Sequence, residues 1–306
     1  MTQLFDLPSD MVHQLLCHLP EPDMYNMLAT SKSFNVLVDP VQLRKMRLFH
    51  LKRLVSAARH GYIDVVRRLL DCVANATDEG YALLEACEHG HLEVARLLVA
   101  HGADAKNRRA LVLAYENGHT EIARLLLTHG ADASDDDALV MVCRNGHTEI
   151  AHLLVTHGAD AKNRRALVLA CEKGHLDVTR LLVIHGADAS DDDAVLLASK
   201  NGHFEIVRFL LTHGARAIHD NVVFGPLAWA SLNGHVDVTR LLLDNGASPN
   251  DEHGLSNASA YGHPLVVRLL LDRGATANIE KAMERAMFQG HPDIADLLST
   301  SIATPP

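Results

Sequence analysis

The sequence predicts an all-α chain built from short tandem repeats, and three observations carry this prediction. The dipeptide Gly-His recurs eight times, at intervals that are almost always 28 residues. Apolar residues within each interval recur at the spacing of one helix face. Hydrophobic residues make up 48% of the 306 residues and aromatic residues only 4%, which suits closely packed small helices better than a large β-core. We therefore expect a helical solenoid, because units of one fixed period stack on their neighbours.

One unit illustrates how the pattern predicts two helices joined by a turn. The apolar run Ala110–Glu116 is long enough for about two helical turns. Gly118 and the His after it form the turn, and Ile122 and Leu126 then mark the buried face of a second helix. A His followed by Gly130 ends that helix, since glycine tolerates the left-handed conformation found just past a helix end and His suits the negative end of the dipole.

The consensus Gly-His-x-Glu-Val/Ile, followed by Leu-Leu and then Gly-Ala-Asp, resembles the ankyrin repeat. The resemblance implies an ankyrin-type helical-repeat solenoid of about nine units over residues 49–302, with a tail at 303–306. The family's usual period is about 33 residues, whereas most of these units have 28, and the loss falls between Gly-Ala-Asp and the first helix. We therefore expect the hairpin finger to be trimmed to a tight turn. One 32-residue unit is longer, and its segment Phe224–Ala230 resembles the family's Thr-Pro-Leu-His-x-Ala opening.

Residues 1–48 lack the repeat and predict a small helical module. Leu-Pro pairs frame an apolar helix that Ser9 or Asp10 can cap. In order and spacing the segment resembles the F-box, which implies docking on the Skp-type adaptor of a cullin–RING ubiquitin ligase. The residues that would face this adaptor are Leu7, Pro8, Leu15, Leu16, Leu19 and Pro20. The alternative is a generic helical cap over the first repeat, which a solenoid needs in any case.

Composition and motifs argue against several other classes of protein. A formal net charge of −10 repels phosphate backbones, so we expect no nucleic-acid binding. No apolar run approaches the length of a membrane span, and no basic segment precedes an apolar stretch at the N-terminus, so we expect neither membrane insertion nor a secretory signal. Neither a nucleophile–base constellation nor a Gly-rich phosphate loop stands out, so we expect no enzyme activity.

Metal-ligating residue types are abundant, but their placement favours structural roles. Sixteen of the 21 histidines are fixed to the repeat, in Gly-His turns or His-Gly helix ends. The triplets Asp135–Asp137 and Asp191–Asp193 lack the Gly bend and distal Glu of a calcium loop. Cys87, Cys143 and Cys171 all lie three residues before a turn glycine, where other units carry Ser, so we interpret them as small packing residues in a reducing compartment. We expect no metal site and no cofactor.

Charged segments alternate in sign along the first half of the repeats. They are Lys106–Arg109, Ser134–Asp137, Lys162–Arg165 and Ser190–Asp193. Packed helices lie about 10 Å apart, so each basic segment should lie beside acidic ones, and aspartates also suit the positive start of a helix. We favour a series of ion pairs between neighbouring repeats of the same chain, called here the charge ladder. The alternative is that these segments form a strip that binds a partner.

The two residues before each turn glycine change in character towards the C-terminus. The ankyrin resemblance implies that they face the concave groove, and they are polar in the first six units. Leu232, Tyr261 and Phe288 then introduce apolar side chains, and Phe224 lies in the adjacent longer finger. Exposed apolar clusters mark interaction sites and aromatic residues are enriched among binding hot spots, so these four residues predict the target-binding surface. The alternative is that Phe288 packs under the C-terminal tail and Leu232 under the longer finger.

These features predict a non-catalytic adaptor, the substrate-recruiting F-box subunit of an SCF-type ubiquitin ligase whose repeats bind an unknown target protein. The alternative is an ankyrin scaffold or competitive blocker with no ubiquitin link. The pairing of an F-box with ankyrin repeats resembles proteins that intracellular bacteria and giant viruses use inside eukaryotic hosts, which implies a host–pathogen effector. We expect a cytoplasmic monomer, in the host cytosol if that origin holds.

Overall fold

The computed structural model describes residues 51–72, 79–134, 136–218, 224–251 and 253–303. Within these ranges all regular secondary structure is helical. The predicted N-terminal module lies outside the described residues, and so do the six residues predicted to face the adaptor.

The described helices come in pairs, each with a first helix and a second helix. The first helices are α1 (51–59), α3 (Glu79–His89), α5 (Arg108–Glu116), α7 (Asp136–Asn145), α9 (Arg164–Lys173), α11 (Asp192–Lys200), α13 (Pro226–Leu232), α15 (Gly254–Ala260) and α17 (Ile279–Phe288). The second helices are α2 (Ile63–Cys72), α4 (Leu92–Ala100), α6 (Thr120–Thr128), α8 (Thr148–Thr156), α10 (Leu176–Ile184), α12 (Phe204–Thr212), α14 (Val236–Asp244), α16 (Pro264–Asp272) and α18 (Pro292–Ala303). The described helices thus form nine pairs.

Two compact units divide the chain after Asp132. In the first unit, α3 packs on α5, and α2, α4 and α6 pack on one another in chain order. In the second unit, the first helices from α7 to α17 pack in chain order as one layer, and the second helices from α8 to α18 pack as another. Within each unit, the pairs therefore bury their apolar faces on one another, as the repeat pattern predicts.

Helix α9 shows why these short segments are helical. Asn163 caps it, accepting hydrogen bonds from the backbone N–H of Arg165 at 3.0 Å and of Ala166 at 3.3 Å. Gly174 ends it with φ of 85°. The buried side is formed by Ala166, Leu167, Ala170 and Cys171. Small residues let neighbouring first helices approach closely, so the core is made mostly of alanine and leucine.

The Gly-His turns link successive repeats. Nε2 of His203 donates to the carbonyl of Glu172 in the preceding repeat at 3.0 Å. The same ring covers Gly174, where an added Cβ would lie 2.7 Å from Cε1. Equivalent bonds to the preceding repeat are made by His91, His119, His175, His235 and His263. These turn histidines are structural, as predicted.

The His-Gly helix ends satisfy the last carbonyls of the second helices. Nδ1 of His157 donates to the carbonyl of Leu153 at 2.8 Å, and Gly158 follows with φ of 104°. The predicted trimming of the finger is also present. Asp160 closes a tight turn, accepting the Lys162 N–H at its carboxylate at 2.9 Å, and α9 begins four residues after it.

The cysteine position contains one surprise. Cys87, Cys143 and Cys171 are fully buried, and burial raises the pKa of each thiol to about 12, as expected of packing residues. However, Tyr115 occupies the same position and is also 0% exposed. The prediction that this position requires a small residue is therefore wrong for that repeat, because the surrounding packing accommodates an aromatic ring there.

Candidate protein-binding surface

Apart from α15, the described first helices leave one side open, formed by the residues nine, five and two positions before the turn glycine. We call this side the open face. These positions share one side of a helix because they are separated by four and three residues. In α9 the open face consists of Arg165, Leu169 and Glu172, all exposed or half-buried. In α15 the face is closed by small or inward-facing residues, since Asn257 is 2% and Ala260 4% exposed.

A row of half-buried apolar side chains runs along the open faces of four successive first helices. Its members, each five residues before a turn glycine, are Met141, Leu169, Leu197 and Trp229. Nζ of Lys200 lies 4.4 Å from the centroid of the Trp229 ring, a cation–π contact that orients the indole. Sequence reasoning missed this row, although the recurrence of a large apolar residue at one repeat position was a usable signal.

The three predicted target-binding residues of the turns differ in exposure. Phe288 is 87% and Tyr261 56% exposed, whereas Leu232 is half-buried. Leu232 and Phe288 both lie two residues before the turn glycine of their repeats. In the repeat between these two, the same position holds the buried Ala260. Tyr261 lies one residue nearer its glycine. The three side chains therefore occupy consecutive repeats without forming a single row.

Phe224, the fourth predicted residue, belongs to an aromatic cluster. Its ring centroid lies 4.5 Å from that of His253 and 5.8 Å from that of Trp229. Phe224 is half-buried. It therefore packs the start of α13 against the next repeat while still presenting part of its ring beside the apolar row.

Two further exposed apolar side chains in the last repeats escaped prediction. Leu265 is 65% exposed and stands three residues after a turn glycine, where every other unit carries Asp or Glu. Met287 is 60% exposed, at the position where the described preceding repeats bury a residue completely. Comparing each repeat position along the sequence would have revealed both departures.

The alternating charged segments form ion pairs between repeats of the second unit. Arg164 contacts Asp191, with Nε to Oδ2 at 2.5 Å, and also Asp193. Nη1 of Arg165 lies 3.6 Å from Oδ1 of Asp137 in the preceding repeat. The hydrogen bonds that Arg164 donates to Asp193 and Asp191 raise the pKa of Arg164. The predicted charge ladder is thus present here, and these aspartates are engaged within the chain.

The first repeats contain one carboxylate-rich cluster. Glu85, Glu88 and His89 have ligand atoms within 4.8 Å of one another. Both oxygens of Glu85 accept hydrogen bonds from Arg59 at 2.8 Å, which lowers the pKa of Glu85. This ion pair joins consecutive repeats and gives Glu85 a cationic partner within the chain.

An open hollow of about 290 Å³ lies at the first repeat. Its lining residues are Leu51, Lys52, Val55, Ser56, Arg59 and Tyr81. A helical cap from the N-terminal module, the sequence-based alternative for residues 1–48, would cover such a surface, and this stays a prediction.

Family comparisons agree with this architecture. The model for ankyrin repeats matches residues 54–137, 132–193 and 188–253, a span of nearly two thirds of the chain. The chain belongs to the ankyrin-repeat family. Its ankyrin helix pairs continue in the structure to Ala303, beyond the last matched residue. The model for the F-box domain matches residues 4–46, so the predicted order of F-box and ankyrin repeats is confirmed.

The ankyrin fold is also found among solved structures. The crystal structure of the human ASB11 ankyrin repeat domain is similar over 63% of this chain and 98% of that chain, with a TM-score of 0.57 and 24% identity. This likeness confirms the predicted all-α ankyrin-type fold. Among curated protein sequences, none matches this chain significantly. Across the described residues, no helix combines the length and the apolar character needed to cross a membrane.

Proposed function

We propose that this ankyrin-repeat protein is the substrate-recruiting subunit of an SCF-type ubiquitin ligase, with no catalytic role of its own. One observation carries the proposal: a segment matching the F-box domain at residues 4–46 precedes a stack of protein-binding repeats in the same chain. The F-box segment would bind a Skp-type adaptor, and the repeats would hold the target protein. The chain would act in the cytoplasm as a monomer, and in a host cytosol if it is an effector.

The adaptor-binding half of the proposal rests on the Leu-Pro framed helix of the F-box segment. We assign adaptor contacts to Leu7, Pro8, Leu15, Leu16, Leu19 and Pro20. The chain should co-elute with a co-expressed eukaryotic Skp adaptor in size-exclusion chromatography. Replacing Leu7 and Pro8 by Ala should abolish co-elution while the thermal melt of the repeats stays unchanged. Absence of co-elution for the unmodified chain would refute the ligase role and favour a scaffold or blocker of protein interactions.

The target-binding half of the proposal rests on the exposed and half-buried apolar side chains at the turns of the last three repeats. Leu232, Tyr261 and Phe288 are the assigned contacts, with Phe224 at their border. Replacing the first three by Asp should leave adaptor co-elution intact and remove the proteins recovered from lysate by the unmodified chain. Ile184→Asp is the matched control, because this side chain is 78% exposed on a different repeat. Recovery of the same proteins by the triple variant would show that the surface lies elsewhere.

A further inference from the structure

The open face of α17, the first helix of the last repeat, is cationic and aromatic. Lys281, Arg285 and Phe288 lie nine, five and two residues before the turn glycine, so they share one side of the helix. The position of Arg285 carries Leu169 in α9 and Leu197 in α11. At the position of the apolar row, the last repeat therefore carries the guanidinium of Arg285. The ammonium of Lys281 and the exposed ring of Phe288 lie on the same side of the helix.

Arg285 is held in place by the preceding repeat. Its Nη1 donates to Oγ of Ser256 at 2.8 Å and to Oδ1 of Asn257 at 3.1 Å. Ser256 and Asn257 are only 1% and 2% exposed. A guanidinium carries five N–H donors in a rigid fork, so these two contacts fix its orientation and leave its full charge and its other donors for a further partner.

Other arginines that reach between repeats are neutralised by carboxylates. Arg59 binds both oxygens of Glu85, Arg164 contacts two aspartates, and Arg273 meets Asp244 at 2.7 Å. In the part of the chain that the structure describes, Arg285 instead donates to the neutral oxygens of Ser256 and Asn257. A half-buried charge that lacks a counter-charge is costly, so this arrangement suits a site that an external anion completes.

The side chain of Asn257, which anchors Arg285, has an unsatisfied polar atom of its own. Its Nδ2 is buried and has no hydrogen-bond partner in the structure, although its Oδ1 accepts from Arg285. Buried polar groups in folded proteins are almost always hydrogen-bonded. The polar groups around the anchored guanidinium are therefore not all satisfied within the described chain, and because Nδ2 itself is buried, the ligand contact is assigned to Arg285.

We propose that the open face of α17 binds a carboxylate side chain of the target, with an apolar side chain next to it in the target packing on Phe288. This inference rests on the proposed target-binding role of the last repeats and names its chemistry. Charge complementarity supports it, because Lys281 and Arg285 place two cations beside Phe288, against one exposed carboxylate, Glu284, at the edge of the same side. A planar guanidinium matches a carboxylate in bidentate geometry.

The test uses the full chain and a phage-displayed library of random twelve-residue peptides. Selected peptides should contain Asp or Glu beside an aromatic or aliphatic residue. A synthetic selected peptide should bind Arg285→Gln at least about tenfold more weakly, as expected for the loss of a charge-assisted hydrogen bond. Selection on Arg285→Glu should favour Lys or Arg instead. Arg268→Glu, which makes the same charge change on the second helix α16, should leave the acidic preference unchanged.

A second variant covers the case in which Arg285 variants unfold. Lys281 is exposed, so Lys281→Glu should keep the thermal melt and still weaken the acidic peptide. Selections without acidic enrichment, or an equal loss of binding in Arg268→Glu, would overturn the proposal. Binding that appears only when phosphoserine replaces the acidic residue would assign the site to phosphate and also overturn it. Adaptor co-elution tests the ligase role in a separate experiment. Failure of the ligase role can therefore be distinguished from failure of the carboxylate-binding proposal.

Discussion

Replacing Gly174 by Ala should destabilise the repeats more than the same change at a glycine without a covering ring. Gly174 has φ of 85°, and an added Cβ would lie 2.7 Å from Cε1 of His203 in the next repeat. Gly274 has φ of 88°, with nothing within 4 Å of an added Cβ. The two positions therefore share the backbone penalty and differ in the ring contact.

The magnitude follows from two contributions. A non-glycine residue in the left-handed region costs about 1–2 kcal/mol, and this applies to both variants. At Gly174 the ring of His203 must also move, which strains or breaks the 3.0 Å bond from its Nε2 to the carbonyl of Glu172. Loss of such a bond costs about 1 kcal/mol. We expect the free energy of unfolding to fall by about 2–3 kcal/mol for Gly174→Ala and by about 1–2 kcal/mol for Gly274→Ala.

Urea denaturation followed by circular dichroism at 25 °C measures the difference. A double variant, Gly174→Ala with His203→Ala, gives the coupling energy between the two positions. Removing the ring relieves its contact with the added Cβ, so the double variant should lose less stability than the sum of the two single variants. Equal destabilisation by the two alanine variants, or strict additivity in the double variant, would show that the His ring does not brace the turn. Glycine would then be required at position 174 only because of its positive φ.

Three further outcomes are expected. Asp193→Lys reverses the charge of a partner of Arg164 and should lower the melting temperature more at low salt than at high salt. Because the pair is exposed, we expect an effect on stability under about 1 kcal/mol. A variant that melts at the same temperature as the unmodified chain at low salt would show that the charge ladder does not stabilise the repeats. Cys171, whose pKa is raised to about 12, should resist a thiol reagent at pH 8 in the native chain and react in urea, and rapid native labelling would contradict its burial. Leu265→Glu should stabilise the chain by about 0.3–0.5 kcal/mol through a new pair with Arg268, a gain that a Gln substitution should not reproduce.

The sequence alone determined the features that repeat. Helix pairs, turn positions and period are encoded locally, since glycine is required at a positive φ and apolar residues follow the helical spacing. The charge ladder was also predictable, because a known period fixes which segments of neighbouring units lie side by side. Arg164 and Asp191 meet for this reason, although they are 27 residues apart.

Only the tertiary structure decided how individual residues depart from the repeat. It placed Phe288 in solvent and Leu232 half-buried at the same repeat position, because exposure depends on what the next unit places alongside. It buried Tyr115 where small residues were expected. It also brought Arg285 to Ser256 and Asn257, 29 and 28 residues away, against neutral oxygens rather than a carboxylate. Such contacts arise from side chains of adjacent repeats packed together, and a one-dimensional pattern does not contain their geometry.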